Sequence, residues 1–249
     1  MNLIDFFTHY PNVVVAFSGG IDSAFLLYMA KKYTHNTHAI YIKTAFQPAF
    51  ELRDACDFCK SYEIPLNIVE LDIYNHTEIL ANPVDRCYHC KRVIFERICK
   101  EASAYPHDVI LDGTNADDDE NDRPGMRALK ELNILSPLRL CGMTKTMIRE
   151  AAKDAGISLW NKPSYACLAT RIPHGECITK EKLERTEIAE NYLMDMGFKD
   201  IRVRCIGNTA KIQISASDFL SFVENRRRIL DVLQKYYSSV TLDLKTRDE

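Results

Sequence analysis

The stretch NVVVAFSGGIDS, from Asn12 to Ser23, decides the fold of this chain of 249 residues. Its first half is a run of β-branched and apolar residues, which predicts a buried strand over Asn12–Phe17. A Ser-Gly-Gly turn follows the strand. The next stretch, Ile21–Tyr33, repeats its apolar residues at the three- and four-residue spacing of a helix. The sequence therefore predicts a strand, a tight glycine turn and a helix in direct succession.

The same alternation of strands and helices continues over the next hundred residues. Further strands are predicted over 37–44, 66–71 and 108–112, with helical segments over 52–62 and 84–104 between them. Strands that alternate with helices pair in parallel, because each helix crosses back over the sheet before the next strand begins. We therefore expect an α/β fold with a doubly wound parallel sheet.

A different pattern follows in the last part of the chain. A helix over 144–155 is capped by Thr144 and leads into a proline-containing loop over 160–175. The segments after it are a helix over 179–196, a hairpin of strands over 201–205 and 210–214, a helix over 216–236 and a strand over 240–244. We therefore expect domains of residues 1–165 and 166–249, the second being a smaller α+β domain.

Composition and charge exclude several classes of protein. Hydrophobic residues make up 46% of the chain and charged residues 27%, and the net charge of -3 provides no overall basic field for nucleic acid. No apolar run approaches the ~20 residues that span a bilayer. The first ten residues lack the basic and apolar regions of a signal peptide. We expect a cytoplasmic protein without a membrane or nucleic-acid partner.

The hexapeptide Ser18-Gly19-Gly20-Ile21-Asp22-Ser23 has the composition of a phosphate-binding loop. Glycines allow a ligand to approach the backbone closely, and the following helix directs its unpaired N–H groups at the turn. Ser18 and Ser23 add hydroxyl groups. Asp22 would by itself repel a phosphate, so we expect it to hold Mg²⁺ that bridges the phosphates. The alternative is a strand-to-helix turn without a ligand.

Nine cysteines are many for a cytosolic chain, and close-spaced pairs indicate metal or redox chemistry. Cys56 and Cys59 form one C-x-x-C pair, and Cys87 and Cys90 form another. The two pairs could make a four-thiolate zinc site, but the first pair falls in a helix and is expected to pack in the core. Basic residues surround the second pair and favour the thiolate form. With Cys167, this pair would leave one corner of a four-iron cluster open.

Several motifs in the chain resemble those of known protein families. The loop from Ser18 to Ser23 resembles that of the PP-loop ATP pyrophosphatases, which have an adenine nucleotide alpha hydrolase-like fold. Other motifs resemble LarE, the sulfur-inserting family of nickel-pincer nucleotide biosynthesis. They are DRCYHCK (85–91), LDGTNADD (111–118), DRPGMRAL (122–129), KPSYACLATRIPHGE (162–176) and IRVRCIGNTAKIQI (201–214).

The resemblance implies an ATP-dependent sulfurtransferase that releases AMP and pyrophosphate. In that family a carboxylate of pyridinium-3,5-biscarboxylic acid mononucleotide is adenylated, and sulfur then displaces AMP. One form of the family gives up the sulfur of its own cysteine, at the position of Ala166 here. This chain instead resembles the form in which three cysteines bind a [4Fe-4S] cluster that delivers an added sulfide. Those cysteines would be Cys87, Cys90 and Cys167.

The resemblance also implies the residues that bind nucleotide and substrate. Gly113, Thr114 and Asn115 end the fourth predicted strand, where an open α/β sheet contacts its ligand, and would line the nucleotide site. The substrate phosphate would bind to basic positions that match Arg171, Arg202 and Arg204. Guanidinium groups suit phosphate.

Two acidic residues, Glu190 and Asp218, match positions near the same site. Glu190 would belong to the catalytic set together with Asp22 and the three cysteines. A solvated residue on a helix is the alternative for Glu190, and a salt-bridged strand residue is the alternative for Arg202. Arg202 and Arg204 should share one face of a strand, because side chains alternate along it.

Other activities remain open at this point. A tRNA thiolation enzyme could use the same loop and a three-cysteine cluster, an amide ligase could use ammonia as the nucleophile, and a non-catalytic sensor could bind ATP without consuming it. For the sulfurtransferase we expect ATP, Mg²⁺ and a [4Fe-4S] cluster as cofactors. We also expect a small-molecule nucleotide substrate, a sulfide donor and a homo-oligomer.

Overall fold

A computed structural model describes residues 2–118 and 124–247, and the chain divides into two compact units. The first unit consists of Met1–Asn75 and Asp85–Ser164. The second unit consists of His76–Val84 and Tyr165–Glu249, so a short segment of the N-terminal half belongs with the C-terminal residues. A single boundary at residue 165 does not account for this segment. The motif residues Asp122 and Arg123 lie outside the described residues.

A parallel sheet of four strands forms the centre of the first unit, in the order β3-β2-β1-β4. The strands are β1 (Asn12–Ala16), β2 (Asn36–Lys43), β3 (Leu66–Glu70) and β4 (Val109–Leu111). The prediction of a doubly wound parallel sheet is therefore confirmed. The chain builds outward from β1 to β3 and then crosses to β4 on the other side of β1. Such a reversal opens a crevice for ligands beyond the carboxyl ends of β1 and β4.

Helices cover both faces of this sheet. In chain order they are α1 (Leu3–His9), α2 (Ile21–Tyr33), α3 (Ala49–Ser61), α5 (Arg86–Ala102), α6 (Gly125–Glu131), α7 (Pro137–Leu140) and α8 (Lys145–Asp154), while α4 (Thr77–Leu80) lies in the segment that joins the second unit. Successive β1 residues alternate between the two faces: Val13 and Val15 pack in one apolar cluster and Val14 in the other. This burial on both faces explains the unbroken apolar run that the sequence shows.

The second unit contains a three-stranded sheet in the order β5-β6-β7. The strands are β5 (Arg202–Ile206), β6 (Thr209–Gln213) and β7 (Ser239–Leu242), and the helices are α9 (Lys180–Asp195), α10 (Phe219–Glu224) and α11 (Arg226–Leu233). β5 and β6 form the predicted antiparallel hairpin, and β7 pairs with β6 in parallel. The smaller α+β unit is therefore present. None of the helices among the described residues is long and apolar enough to cross a bilayer.

The prediction of one helix over 216–236 is wrong. The segment begins with a 3-10 turn at Ala216–Asp218 and then breaks at Asn225, between α10 and α11. The side-chain amide of Asn225 donates to Ser221 O at 2.8 Å. Asparagine competes with helix hydrogen bonds in this way, which accounts for the break. The loop predicted over 160–175 likewise contains a 3-10 turn, at Leu168–Arg171.

Candidate functional sites

The loop between β1 and α2 adopts the conformation that its glycines allow. Gly19 has φ +78°, in the left-handed region that favours glycine, and a Cβ there would lie 2.8 Å from Glu51 O. Gly20 is the N-cap of α2 and no side chain caps the helix. The N–H groups of the first turn of α2 are therefore left without intrahelical partners, which is the arrangement in which a helix N-terminus binds an anion.

Two serine hydroxyls connect the ends of this loop. The Oγ atoms of Ser18 and Ser23 lie 3.0 Å apart, and Ser23 Oγ donates to Gly20 O at 3.1 Å. Ser23 is buried, whereas Ser18 is exposed. Ser23 therefore holds the loop in shape, and Ser18 is the hydroxyl that faces solvent.

The residues after β4 lie directly against the start of α2. A Cβ at Gly113 would come within 2.8 Å of Ser23 N, so only glycine fits there without a shift of the backbone. Thr114 and Asn115 are buried, and Thr114 Oγ1 donates to Asp112 Oδ2 at 2.5 Å. The structure thus brings Gly113 beside the loop residues at the crevice that the strand order predicts.

Asp22 contacts a lysine that sequence reasoning missed. Lys145 Nζ donates to Asp22 Oδ2, while Asp22 Oδ1 is buried and has no hydrogen-bond partner among the described residues. Lys145 is the first residue of α8, where its positive charge opposes the helix dipole. A lysine at that end of a helix is unfavourable locally, and this was the available signal that it has a partner elsewhere. Asp22 and Lys145 are both less than one-third exposed.

The cysteines fall into two groups. Cys59 is buried in the core of the first unit, and burial raises the pKa of its thiol to about 12. This confirms the expected core packing for Cys59, and Cys56 is half-buried beside it. None of the nine cysteines forms a disulfide. Among residues 2–118 and 124–247, no three His, Cys, Asp or Glu side chains are grouped so as to hold a metal ion, and this covers the two C-x-x-C pairs and Cys167 alike.

Cys87 and Cys90 lie in the first two turns of α5, in the first unit. They are three residues apart, so they lie on one face of the helix. Cys87 is exposed and Cys90 is half-buried. Cys167, which is half-buried, is contributed by the second unit, where it is the N-cap of the 3-10 turn at Leu168–Arg171.

A buried ion pair organises the second unit. Arg171 Nε and Nη2 donate to the two oxygens of Glu190 at 2.7 and 3.2 Å, and neither side chain is more than 1% exposed. Glu190 also accepts from Val203 N at 2.7 Å and from the Tyr165 hydroxyl. Burial lowers the pKa of Arg171, but the hydrogen bonds and charge of Glu190 outweigh this and raise it. The alternative of a solvated helix residue is therefore wrong for Glu190, whose four acceptor positions are filled.

Two further guanidinium groups lie near this pair, and Arg202 Nη1 forms an ion pair with Asp200 Oδ1 at 3.5 Å, in line with the salt-bridged alternative for Arg202. Arg204 donates to Gln213 Oε1 and Thr170 O at 2.8 and 2.7 Å. Arg202 is buried, and its guanidinium lies 5.1 Å from the ring centroid of Tyr165. Burial and the charge of Arg171 lower the pKa of Arg202 to about 10 and also lower that of Arg204. Their charged forms are therefore costly as they stand, and a bound anion would relieve that cost.

Arg171, Arg202 and Arg204 form an arginine cluster with Glu190. Sequence reasoning missed two of its neighbours, Arg247 and Tyr165, and predicted Asp218, which lies apart from it. Arg247 donates to Asp200 Oδ1 at 2.8 Å, and its charge also depresses the pKa of Arg202. Tyr165 has its ring beside two arginines, 4.7 Å from Arg171. Within the described part of the chain, the Asp218 carboxylate accepts from Ser215 Oγ at 3.0 Å and forms no ion pair with the arginines.

Comparisons with known proteins identify relatives along the whole chain. The family model described as queuosine biosynthesis protein QueC matches residues 12–82, which include β1 and the loop after it. A protein named uncharacterized protein slr1717, from Synechocystis, is 33% identical over 98% of this chain and 92% of its own length. A Methanocaldococcus jannaschii protein named uncharacterized protein MJ0830 is 35% identical over 94% of this chain and 89% of its own length.

A third relative has a named activity. The pyridinium-3,5-bisthiocarboxylic acid mononucleotide synthase of Lactiplantibacillus plantarum is 31% identical over 93% of this chain and 85% of its own length. At 93% coverage the similarity extends over both units. The chain therefore belongs to the LarE family of PP-loop proteins.

Proposed function

We propose that this chain is an ATP-dependent sulfurtransferase that adenylates a substrate carboxylate and replaces one of its oxygens by sulfur. The observation that carries the proposal is the uncapped N-terminus of α2, where Gly113 of the neighbouring loop lies against Ser23. Residues 1–165 would bind ATP, and residues 166–249 would bind the substrate and take part in sulfur transfer. Family membership supports the same class of reaction.

The nucleotide would bind at the loop between β1 and α2. Ser18, Gly19, Gly20 and Ser23 would contact the pyrophosphate part of ATP, and Gly113, Thr114 and Asn115 would line the rest of the nucleotide. Asp22 fits a role in holding Mg²⁺, because its buried Oδ1 has no partner within residues 2–118 and 124–247 and carboxylate oxygens are the ligands that this cation prefers. The cation would neutralise phosphate charge, and Lys145 could then move from Asp22 to the phosphates.

The reaction that follows consists of two successive substitutions, the first at phosphorus and the second at the acyl carbon. A carboxylate oxygen of the substrate attacks the α-phosphorus of ATP, the bond to the bridging oxygen breaks, and pyrophosphate leaves. A sulfide then attacks the acyl carbon of the adenylate, and AMP leaves with the bonding electrons and the former carboxylate oxygen. Adenylation is needed because a carboxylate is a poor electrophile and AMP is a good leaving group.

The proposed substrate is pyridinium-3,5-biscarboxylic acid mononucleotide, whose phosphate would bind to Arg171, Arg202 and Arg204. Glu190 holds Arg171 in place, so its role would be to position that guanidinium. Asp218 is proposed to bind the substrate near the same site. The depressed pKa values of Arg202 and Arg204 support an anion at this position.

Phosphate should stabilise the wild-type protein and should not stabilise Arg204→Met to the same extent. At a hundredfold excess over the dissociation constant, a single bound anion adds about 2.7 kcal/mol to the free energy of unfolding. Thermal unfolding in increasing inorganic phosphate measures the effect. Arg226→Met, which removes an exposed arginine of the same unit, is the matched control. Equal stabilisation of all three proteins would contradict the assignment of the phosphate site.

Cys87, Cys90 and Cys167 are proposed to hold a [4Fe-4S] cluster. Donor chemistry supports the assignment, since thiolates are the usual ligands of such clusters and Cys87 and Cys90 share one face of α5. When bound, such a cluster would supply the sulfide that replaces the oxygen. These residues would hold the cluster by three thiolates.

Cys87→Ala is expected to lower bound iron and acid-labile sulfide by more than about half after anaerobic reconstitution, because a cluster with two protein thiolates is poorly held. Iron and sulfide analysis with absorption spectroscopy provides the measurement. Cys99→Ala is the matched control, since Cys99 lies on the same helix and its pKa is raised by burial. Stoichiometric zinc without iron in the wild-type protein would overturn the cluster assignment.

The proposed activity is tested with anaerobically prepared protein, MgATP, sulfide and the biscarboxylic acid mononucleotide. We expect AMP, pyrophosphate and a thiocarboxylate product in equal amounts, each detected by mass spectrometry or coupled assay. Firm ATP binding without release of pyrophosphate would instead indicate a nucleotide sensor. Salt-sensitive retention of bulk tRNA would favour a tRNA thiolation enzyme.

A further inference from the structure

Lys162 reaches the phosphate loop in the first unit. Its Nζ donates to Gly19 O at 3.4 Å and to Asp54 Oδ2 at 2.5 Å. It also lies 5.4 Å from the ring centroid of Phe50, and its side chain is 16% exposed. A largely buried ammonium group is thus held against one carbonyl of the loop by an acidic partner and an aromatic ring.

The backbone around Lys162 is held by helix α8. Arg149 Nη1 donates to Trp160 O at 2.5 Å, and its Nη2 donates to Lys162 O at 2.8 Å. Lys145, which contacts Asp22, begins the same helix. One helix therefore places two lysines at the phosphate loop, one directly and the other through the residues that Arg149 holds.

The contact with Gly19 O determines the orientation of a peptide group. The described residues contain no cis peptide bond, so the Gly19 carbonyl and the Gly20 N–H point in opposite directions. The Gly20 N–H accordingly lies on the side away from Lys162, 3.4 Å from Ser18 Oγ. A peptide between two glycines rotates easily, because neither residue has a Cβ to restrict it. Two contacts keep this peptide in one orientation: the 3.4 Å bond from Lys162 to Gly19 O and the 3.4 Å bond from the Gly20 N–H to Ser18 Oγ.

We propose that Lys162 is a positioning residue for the nucleotide: by holding Gly19 O, it turns the Gly20 N–H toward the phosphates. The inference rests on the proposed function, since it requires the loop to bind ATP. Asp54 keeps the ammonium group on the carbonyl. Lys162 thus acts through the loop backbone and does not itself contact the phosphates.

Isothermal titration of Lys162→Met with MgATP, magnesium pyrophosphate and AMP tests this role. We expect the dissociation constants of MgATP and pyrophosphate to rise at least about tenfold, because a hydrogen bond to a charged phosphate is lost. The dissociation constant of AMP, which lacks the pyrophosphate part, should change less than about twofold. Lys162→Arg should retain most of the affinity, since arginine can also donate to both partners.

Lys153→Met is the matched control, because this substitution removes the same charge. Lys153 lies over the Trp160 ring, 5.0 Å from its centroid. Should Lys162→Met fail to fold, Asp54→Asn must show a smaller loss with the same preference for the pyrophosphate ligands. Wild-type affinities in the variants, or equal losses for AMP and MgATP, would overturn the inference and leave the proposed function standing. A wild-type protein that binds neither MgATP nor pyrophosphate would overturn both.

Discussion

Glu190→Gln is expected to lower the free energy of unfolding of the second unit by about 3–5 kcal/mol. The substitution keeps the shape of the side chain but removes the charge opposite Arg171, which is 1% exposed. An arginine cannot give up its proton under ordinary conditions, so its charge stays buried without compensation. The amide nitrogen of glutamine replaces one carboxylate oxygen, so it cannot accept the bond that Val203 N donates to Oε1 or the one that the Tyr165 hydroxyl donates to Oε2, depending on which oxygen it replaces.

Urea unfolding followed by circular dichroism measures this loss, and hydrogen exchange of the amides in α9 and β5 locates it. Glu184→Gln is the matched control, because Glu184 lies on the same helix in an exposed pair with Lys180. An exposed pair of this kind contributes less than about 1 kcal/mol. Equal stabilities of the two variants would show that Arg171 does not depend on Glu190.

Asp22→Asn is expected to reduce the rate of pyrophosphate release by about a hundredfold or more, because a metal or a directed donor at a reacting phosphate contributes several kcal/mol. An amide is a far weaker ligand for Mg²⁺ than a carboxylate. The change also removes the ionic partner of Lys145. The fold should persist, since the two side chains have nearly the same shape.

The rate of pyrophosphate release is measured over a range of Mg²⁺ concentrations. The matched control is Asp57→Asn, an exposed residue of α3 in the same unit. The control should behave as the wild type at every concentration. If Asp22→Asn released pyrophosphate at the wild-type rate with the wild-type dependence on Mg²⁺ concentration, the role of Asp22 in holding the cation would be refuted.

The architecture of the first unit could be predicted because its signals are local. Val13, Val14 and Val15 are buried on alternate faces of β1, so a run of β-branched residues identifies a strand covered on both sides. The glycines after it identify the turn, and the order of strands and helices then restricts the topology to parallel pairing. The same reasoning placed Gly113 at the crevice, since the ends of adjacent parallel strands meet at one edge of the sheet.

Contacts between residues far apart in the chain could not be predicted in this way. Lys145 is 123 residues from Asp22, and Lys162 is 143 residues from Gly19. The place of Lys145 at the start of α8 indicates that it has a partner but not which one, and no local pattern marks Lys162. Glu190 shows the same limit: its position on an amphipathic helix is compatible with exposure, and only the packing of Arg171 and β5 against it shows that it is buried.

By itself, the sequence determined the two kinds of sheet, the glycine loop, the hairpin and the family, because each depends on residue order over short distances or on matching motifs. Tertiary structure alone decided which charges are paired, which are buried, and which backbone groups remain open to a ligand. The physical reason is that burial and electrostatic pairing depend on distance in space, and folding brings together groups whose separation along the chain carries no signal of their contact.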